Sequence, residues 1–464
     1  MKAVHLIGIC GTGMATLAVL LKQRGFSVQG SDEHVYPPMS DFLLEHGIGV
    51  LDGYRTENIT KSLDLVVVGN AVSRGNLELE AVLDNRIRYA SFPEVVRNEF
   101  LWSRRPVVIS GTHGKTTTAA MLAWILTYAG VNPSFLIGGI SPNLSTSGRI
   151  GQGNVFVIEG DEYDSAFFDK TAKFLKYLPE ILVINNLEFD HADIYQDLDE
   201  LRLAFRRLVG LVSSQGLVIV NADDSETQAL GRQSTGTVQT FGFGSTATWQ
   251  ASQIEYRAGM TTFDLVLNNE KAMQVAMPVI GAFNVRNALG AMAAANGVGV
   301  VPEESAEALR RFRGVKRRLE VRGIVGDVTI YDDFAHHPTA VRETLAAMRS
   351  ISKSGRVWAL FEPRSATSCR RVFQEEFAES LRLADCVIVT QVYRKNILES
   401  DRLSELQLVS DLRSVGVDAT FAPTIDEVVS IVAESVLPGD HVVAMSNGGF
   451  GNIHEKLVVA LESR

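Results

Sequence analysis

Residues 107–118 read VVISGTHGKTTT: an apolar run, a glycine turn, then Gly114-Lys115-Thr116. An apolar strand turning through glycine into Gly-Lys-Thr spells a phosphate-binding loop. The glycines let backbone N–H groups approach phosphate, the lysine adds a point charge and the hydroxyl can hold Mg²⁺. The spelling is compact: in G-x-x-x-x-G-K-[ST] the first glycine would fall at Ile109, and Gly111 comes two residues late. The stretch predicts a strand–loop–helix unit with Gly111, Thr112, His113, Gly114, Lys115, Thr116 and Thr117 around a nucleotide's phosphates.

Downstream, VFVIEGDEYDS, ILVINNLEFDHADIY and GLVIVNADD are apolar runs that end in polar residues. As parallel neighbours of the loop strand they would gather Glu159, Asp161, Glu162 and His191 on one rim. Magnesium takes oxygen ligands, commonly one or two carboxylates. A solvated loop rim is the plainer reading of the acids, and an ordinary polar loop residue that of His191. Asn284 and Asn287 either cap an alanine-rich helix or read an adenine edge. Lys316, Arg317 and Arg318 are a charged surface or a phosphate contact. Asp332, Asp333, His336 and His337 resemble a metal cluster, but neighbours on a strand point to opposite faces, so the four cannot converge on one ion.

Upstream, AVHLIGI, GTGM and ATLAVLLKQRG read as strand, turn and helix, followed by strands closing on Asp32 and Asn70. The glycines at Gly8, Gly11 and Gly13 give G-x-x-G-x-G, unlike the G-x-G-x-x-G of a dinucleotide site. The helix start still offers N–H groups to a diphosphate, and Asp32 is placed to read a sugar hydroxyl; a tight packing turn is the alternative. The opening apolar stretch also resembles a signal peptide, but glycines interrupt it and a second strand follows. The 464 residues suggest about three domains, with SRRP (103–106) reading as a linker between the first and the second. A net charge of −10 argues against a general nucleic-acid or membrane surface. Three cysteines without C-x-x-C spacing suggest neither disulfides nor zinc, as in a reducing cytoplasm.

Together these segments resemble the Mur ligase family, ATP-dependent enzymes that join amino acids or peptides to a UDP-sugar carboxylate. The resemblance runs through GICGTGM, GSD, GTHGKTTTA, EGDEYDSAFFD, NNLEFDHADIY, FNVRNALGA, GVKRRLE and YDDFAHHPT. It implies an α/β chain of three domains: a Rossmann-like UDP-binding domain (1–105), a central P-loop ATPase domain (106–314) and a Rossmann-like domain for the amine (315–464). The implied cofactors are ATP and Mg²⁺, with Lys115, Glu159 and His191 catalytic. Thr116 and Glu159 would hold the first magnesium and His191 the second; Asn284 and Asn287 would face adenine, Asp333 ribose and Arg318 a phosphate. UDP-N-acetylmuramate would lie on Gly11, Thr12, Gly13, Met14, Ser31, Asp32 and Asn70.

The versions VYPPMS, EYDSAFFDK, FEPRSATS and SNGGFGNIHEKL resemble those of members that attach a recycled murein tripeptide. Members that add free L-alanine carry extra arginines where this chain has Ser365 and Ser368, and they are the alternative. A P-loop kinase or ATPase is the alternative of another class, though neither the N-terminal turn nor a third α/β segment is explained by it. Arg364, Ser446 and Asn447 are candidates for the peptide. Departures from the family pattern are Phe283 for a histidine, Phe334 for a tyrosine, and no lysine between 191 and 215 to be carbamylated. The resemblance further implies a bacterial cytoplasmic protein, Gram-negative in type, and a monomer or weak homodimer.

Overall fold

The computed structural model describes residues 2–464 except 34, 36–38, 193, 258, 353 and 395. Part of VYPPMS and one residue of LEFDHADIY therefore lie outside the described residues. Strand–helix alternation produces three sheets of five, ten and six strands, with a two-stranded hairpin beside them.

The strand before the phosphate loop, Arg105–Ser110, sits inside the ten-stranded sheet. It pairs in parallel with Val155–Glu159 on one side and Ile181–Ile184 on the other, with Ile109 opposite Glu159 and Ser110 opposite Ile184. Their apolar residues are buried on both faces, which is why parallel strands read as unbroken hydrophobic runs. Because all point the same way, Gly111, Gly160 and Asn185 leave the sheet at one edge. SRRP is not a free linker: Arg105 and Pro106 already belong to the strand, Arg105 pairs with Glu180 at 2.6 Å, and Arg104 donates to the carbonyls of Gly151 and Gly153.

The loop leads into helix α1 (Lys115–Tyr128), which packs with helix α2 (Ala282–Val298) in one core. Both carry rows of buried alanines, whose small side chains let the helices approach closely. An antiparallel extension, Trp249–Arg257, Met260–Leu267 and Glu270–Met277, widens this sheet; it carries no motif.

The N-terminal sheet is all parallel, in the order Gly49–Asp52, Ser27–Asp32, Ala3–Ile7, Leu65–Val68, Tyr89–Ser91. The strand order reverses between Ala3–Ile7 and Leu65–Val68, the place where open α/β sheets take ligands. The Thr16 and Ser147 hydroxyls, 2.8 Å apart, join this unit to the central one. In the C-terminal sheet Glu320–Val325 is antiparallel to Val328–Asp333, and the strands beyond are parallel. Among the described residues, no helix is long and apolar enough to cross a membrane.

Candidate active site

The phosphate loop is held open by backbone geometry. Gly111 and Gly114 have φ of +122° and +81°, a region costly for side-chain-bearing residues. At Gly114 a Cβ would lie 2.4 Å from Asn287 Oδ1. Asn186 accepts two of the loop's N–H groups, from Thr112 at its backbone carbonyl (3.1 Å) and from His113 at its side chain (2.7 Å). Among the described residues the N–H groups of Gly114, Lys115 and Thr116 meet no loop or side-chain acceptor, and the last two sit at a helix start.

Lys115 is folded back. Its Nζ donates to both carboxylate oxygens of Glu162 at 2.9 Å and to the carbonyl of Gly111 at 2.6 Å. Glu162 is 1 % exposed and also meets His191 Nε2 at 3.0 Å. Burial opposes charge on Lys115, but the carboxylates of Glu162 and Asp161 outweigh it and hold its pKa above the usual range. The same balance raises His191: burial lowers it, and Glu162 with Asp190 more than compensates. His191 has φ +57°, and its N–H donates to Asp190 Oδ1 at 2.7 Å. Local sequence marks Glu162 as one of several rim acids; nothing in it singles out the one facing inward.

Thr116 Oγ1 donates to Glu159 Oε2 at 3.2 Å, and Glu159 Oε1 accepts from Gly138 N–H at 2.5 Å. Burial pushes the Glu159 carboxyl up in pKa, and among the described residues no basic group pairs with it within 4.0 Å. Thr116 and Glu159 therefore sit together as oxygen donors suited to a hard cation, and His191 joins the same rim through Glu162 and Lys115, offering an imidazole nitrogen. Arg318 reaches Thr116 Oγ1 at 3.5 Å and stacks on Phe334, which lies under both Arg317 and Arg318. The phenol missing at Phe334 thus leaves an apolar platform for two guanidiniums.

Asn284 and Asn287 do not cap their helix, which starts after Gly281. Asn287 Nδ2 donates to Asn284 Oδ1 at 3.2 Å, and Asn287 Oδ1 accepts from Thr118, so the pair lies against the phosphate loop. Asp333 accepts from the N–H groups of Leu319 and Ala335 and from the Thr344 hydroxyl. Its neighbour Asp332 faces Arg317 and His454 instead, the divergence expected for adjacent strand residues. His337 Nε2 donates to the Phe189 carbonyl while Nδ1 accepts from Thr339 N–H. Burial and His113 bring its pKa down to about 4. Although His113, Glu188 and His337 come within 4.8 Å of one another, both His337 nitrogens are already in use.

In the N-terminal unit, Gly11 precedes the helix and Thr12, Gly13 and Met14 form its first turn. Asp32 accepts from Cys10 N–H at 2.9 Å, and Asn70 lies half-buried just beyond Leu65–Val68. Ser31 is buried, with its hydroxyl given to Glu78, which also binds His5 and Asn58; it supports this edge from behind. In the C-terminal unit Arg364 lies over Tyr393, 3.9 Å from the ring centre, and packs against Gly448. Ser446 donates to Glu362, and Asn447 Oδ1 is buried without a partner among the described residues. Ser365 and Ser368 are buried and bonded to each other at 2.9 Å. Thr367 donates to Asp190, tying this loop to the His191 segment.

Residues 3–99 match the "Mur ligase family, catalytic domain", 109–295 the "Mur ligase middle domain" and 317–448 the "Mur ligase, glutamate ligase domain". The chain is 41 % identical, over 99 % of its length and 98 % of the relative's, to UDP-N-acetylmuramate–L-alanyl-γ-D-glutamyl-meso-2,6-diaminoheptandioate ligase of Escherichia coli. A murein peptide ligase from Psychrobacter arcticus superimposes with a TM-score of 0.74 at 35 % identity, covering 100 % of this chain and 99 % of that one. A UDP-N-acetylmuramate–alanine ligase from Thermotoga maritima gives 0.82 at 25 % identity, covering 100 % of both. Overlap and identity rank the two differently. Identity bears more on substrate, because whole-chain overlap also depends on how the domains are set.

Replacing Glu162 with Gln leaves Lys115 and His191 without their shared counter-charge. The variant is expected to be destabilised by about 1–3 kcal/mol in urea unfolding without nucleotide, and an unchanged midpoint would show that the clamp carries no energy. Gly114→Ala strains a left-handed turn and drives a methyl into Asn287. It is expected to weaken nucleotide binding roughly tenfold or more, measured by calorimetry.

Proposed function

This chain belongs to the Mur ligase family, and from that premise we propose that it is an ATP-dependent carbon–nitrogen ligase of peptidoglycan recycling. Its substrates are UDP-N-acetylmuramate and the tripeptide L-alanyl-γ-D-glutamyl-meso-diaminopimelate. The observation that carries this reading is full-length identity to a tripeptide ligase, joined to a rim where Lys115, Glu159, Glu162 and His191 surround a phosphate loop.

In this reading residues 1–105 hold the UDP-sugar, 106–314 the ATP and 315–464 the peptide. Thr116 and Glu159 would hold a first magnesium and His191 a second, and when bound the metal would supply positive charge beside the transferring phosphate. Buried Glu159, without a paired cation, fits that role. Lys115 leaves Glu162 for the β- and γ-phosphates, Arg318 approaches from the third domain, and Asn284, Asn287 and Asp333 border the nucleoside. The muramyl carboxylate attacks the γ-phosphorus and ADP departs. The peptide amine then attacks the acyl carbon, and phosphate leaves with one of the carboxylate's original oxygens. The protein works in the bacterial cytoplasm, where both nucleotides are available.

The free L-alanine reading is disfavoured by Ser365 and Ser368, which are buried and paired with each other. They place no cation where a free amino acid's carboxylate would need one. Phosphate release is therefore expected only when UDP-N-acetylmuramate and the tripeptide are both present. Release with L-alanine alone as the amine would move the chain to the alanine ligases, and release with neither sugar nor amine would overturn the ligase reading. A chelator should abolish the activity, and Glu159→Gln should raise the magnesium needed for half-maximal rate by about tenfold or more.

A further inference from the structure

The hairpin made by Asp164–Ala166 and Asp169–Ala172 stands beside the main sheets, and Phe167-Phe168 is its turn. Two-residue hairpin turns favour Asn, Asp and Gly, which tolerate a positive φ; here neither phenylalanine has one. Turn chemistry does not account for two aromatic rings at a tip, but their contacts do. Phe167 packs on the apolar cluster of the N-terminal unit that contains Ile7, Val68 and Val72. Ile7 and Val68 close the two strands at which the sheet order reverses. Val72 lies 3.6 Å from where a Cβ on Gly8 would sit, at the glycine turn itself. The Phe168 ring meets Phe167 and Tyr89 edge-on, each with ring centres 5.1 Å apart, and Tyr89 opens the last strand of that sheet.

The base of the same hairpin carries the clamp. Glu162 lies just before it, and its carbonyl accepts from the Tyr195 hydroxyl at 2.6 Å. Tyr163 sets its ring 4.2 Å from that of His191, centre to centre, and its carbonyl accepts from Lys173 N–H at 2.9 Å. The two strands are braced against each other. Lys170 pairs with Asp164 at 2.6 Å, and the Ser165 hydroxyl donates to the Thr171 carbonyl at 2.9 Å. From Glu162 to Phe167 an extended chain spans about 16 Å. One braced element thus touches the ligand edge of the N-terminal sheet at its tip and the counter-charge of Lys115 at its base.

We propose that this hairpin is a strut coupling the two nucleotide sites, with Phe167 and Phe168 as positioning residues. A UDP-sugar seated at the N-terminal turn fixes the edge on which Phe167 packs. The hairpin carries that constraint to Glu162 and favours the placement in which Lys115 is released to ATP's phosphates. Coupling between two sites is reciprocal, so bound ATP tightens the UDP-sugar in turn. The assignment rests on the two-nucleotide reading above. It gives the rings no contact with either ligand: they act through the Val72 cluster at one end and Glu162 at the other.

The test is calorimetry on the full-length enzyme, measuring Kd for UDP-N-acetylmuramate with and without Mg²⁺ and a non-hydrolysable ATP analogue. Wild type should bind the UDP-sugar about fivefold or more tighter when the analogue is present. Phe167→Ala and Phe168→Ala should bring that ratio to about twofold or less. In Phe168→Ala, Kd for the analogue alone and the melting temperature should stay near wild type, and Phe168→Tyr, which keeps the ring, should retain the ratio. Phe168 is 38 % exposed, so its variants carry the test if Phe167→Ala does not fold. A full ratio in Phe168→Ala, or a ratio near one in a wild type that binds both ligands, would overturn the strut. So would a loss of analogue affinity and melting temperature together in Phe168→Ala, which is what packing alone produces. A wild type that binds the analogue but no UDP-N-acetylmuramate under either condition would instead overturn the function proposed above.

Discussion

Glu162 takes the charge of Lys115 and His191 together, inside the edge of the central sheet and out of contact with water. The rest of the site is arranged around that clamp. Lysine, histidine and loop must stay within reach of one carboxylate, and three adjacent parallel strands deliver them there in fixed register. A buried ion pair of this kind adds little net stability, because desolvation offsets much of the attraction, yet removing one partner is destabilising. That balance suits a site whose occupant changes. A nucleotide's phosphates can replace Glu162 as the partner of Lys115 at small net change, so the clamp keeps the lysine charged and placed without holding it too tightly.

The third domain joins the same network from the opposite side. Thr367 binds Asp190, His337 binds the Phe189 carbonyl, and Arg318 reaches Thr116. The first two contacts fall on the segment that carries His191, and the third on the first turn of the helix that follows the phosphate loop. The Arg364–Ser368 loop is thereby mechanically continuous with the segment that positions His191. Its serines are spent on bonding to each other.

How much of this was legible in the sequence depended on burial. The phosphate loop and its neighbours stood out because parallel strands buried on both faces read as plain apolar runs, each ending where polar residues begin. The opposite facing of Asp332 and Asp333 followed from strand geometry alone. The antiparallel strands from Trp249 to Met277 carry no motif that would mark them in the sequence. SRRP reads as a linker because arginines at a strand start look like surface charge, yet Arg105 and Pro106 open the strand. Glu162 was indistinguishable from Asp161 on paper; only the fold turns one inward to Lys115 and leaves the other to pair with Lys173. Asn186, which fixes two of the loop's amides, had no signal beyond its place after a strand.

The central claim is that the rim activates a carboxylate by phosphorylating it before the amine attacks. It is tested most directly by supplying UDP-N-acetylmuramate labelled with ¹⁸O in its lactyl carboxylate and analysing the phosphate released with the tripeptide product. Acyl-phosphate chemistry predicts one ¹⁸O in each phosphate from fully labelled substrate. Product formed with unlabelled phosphate would contradict it.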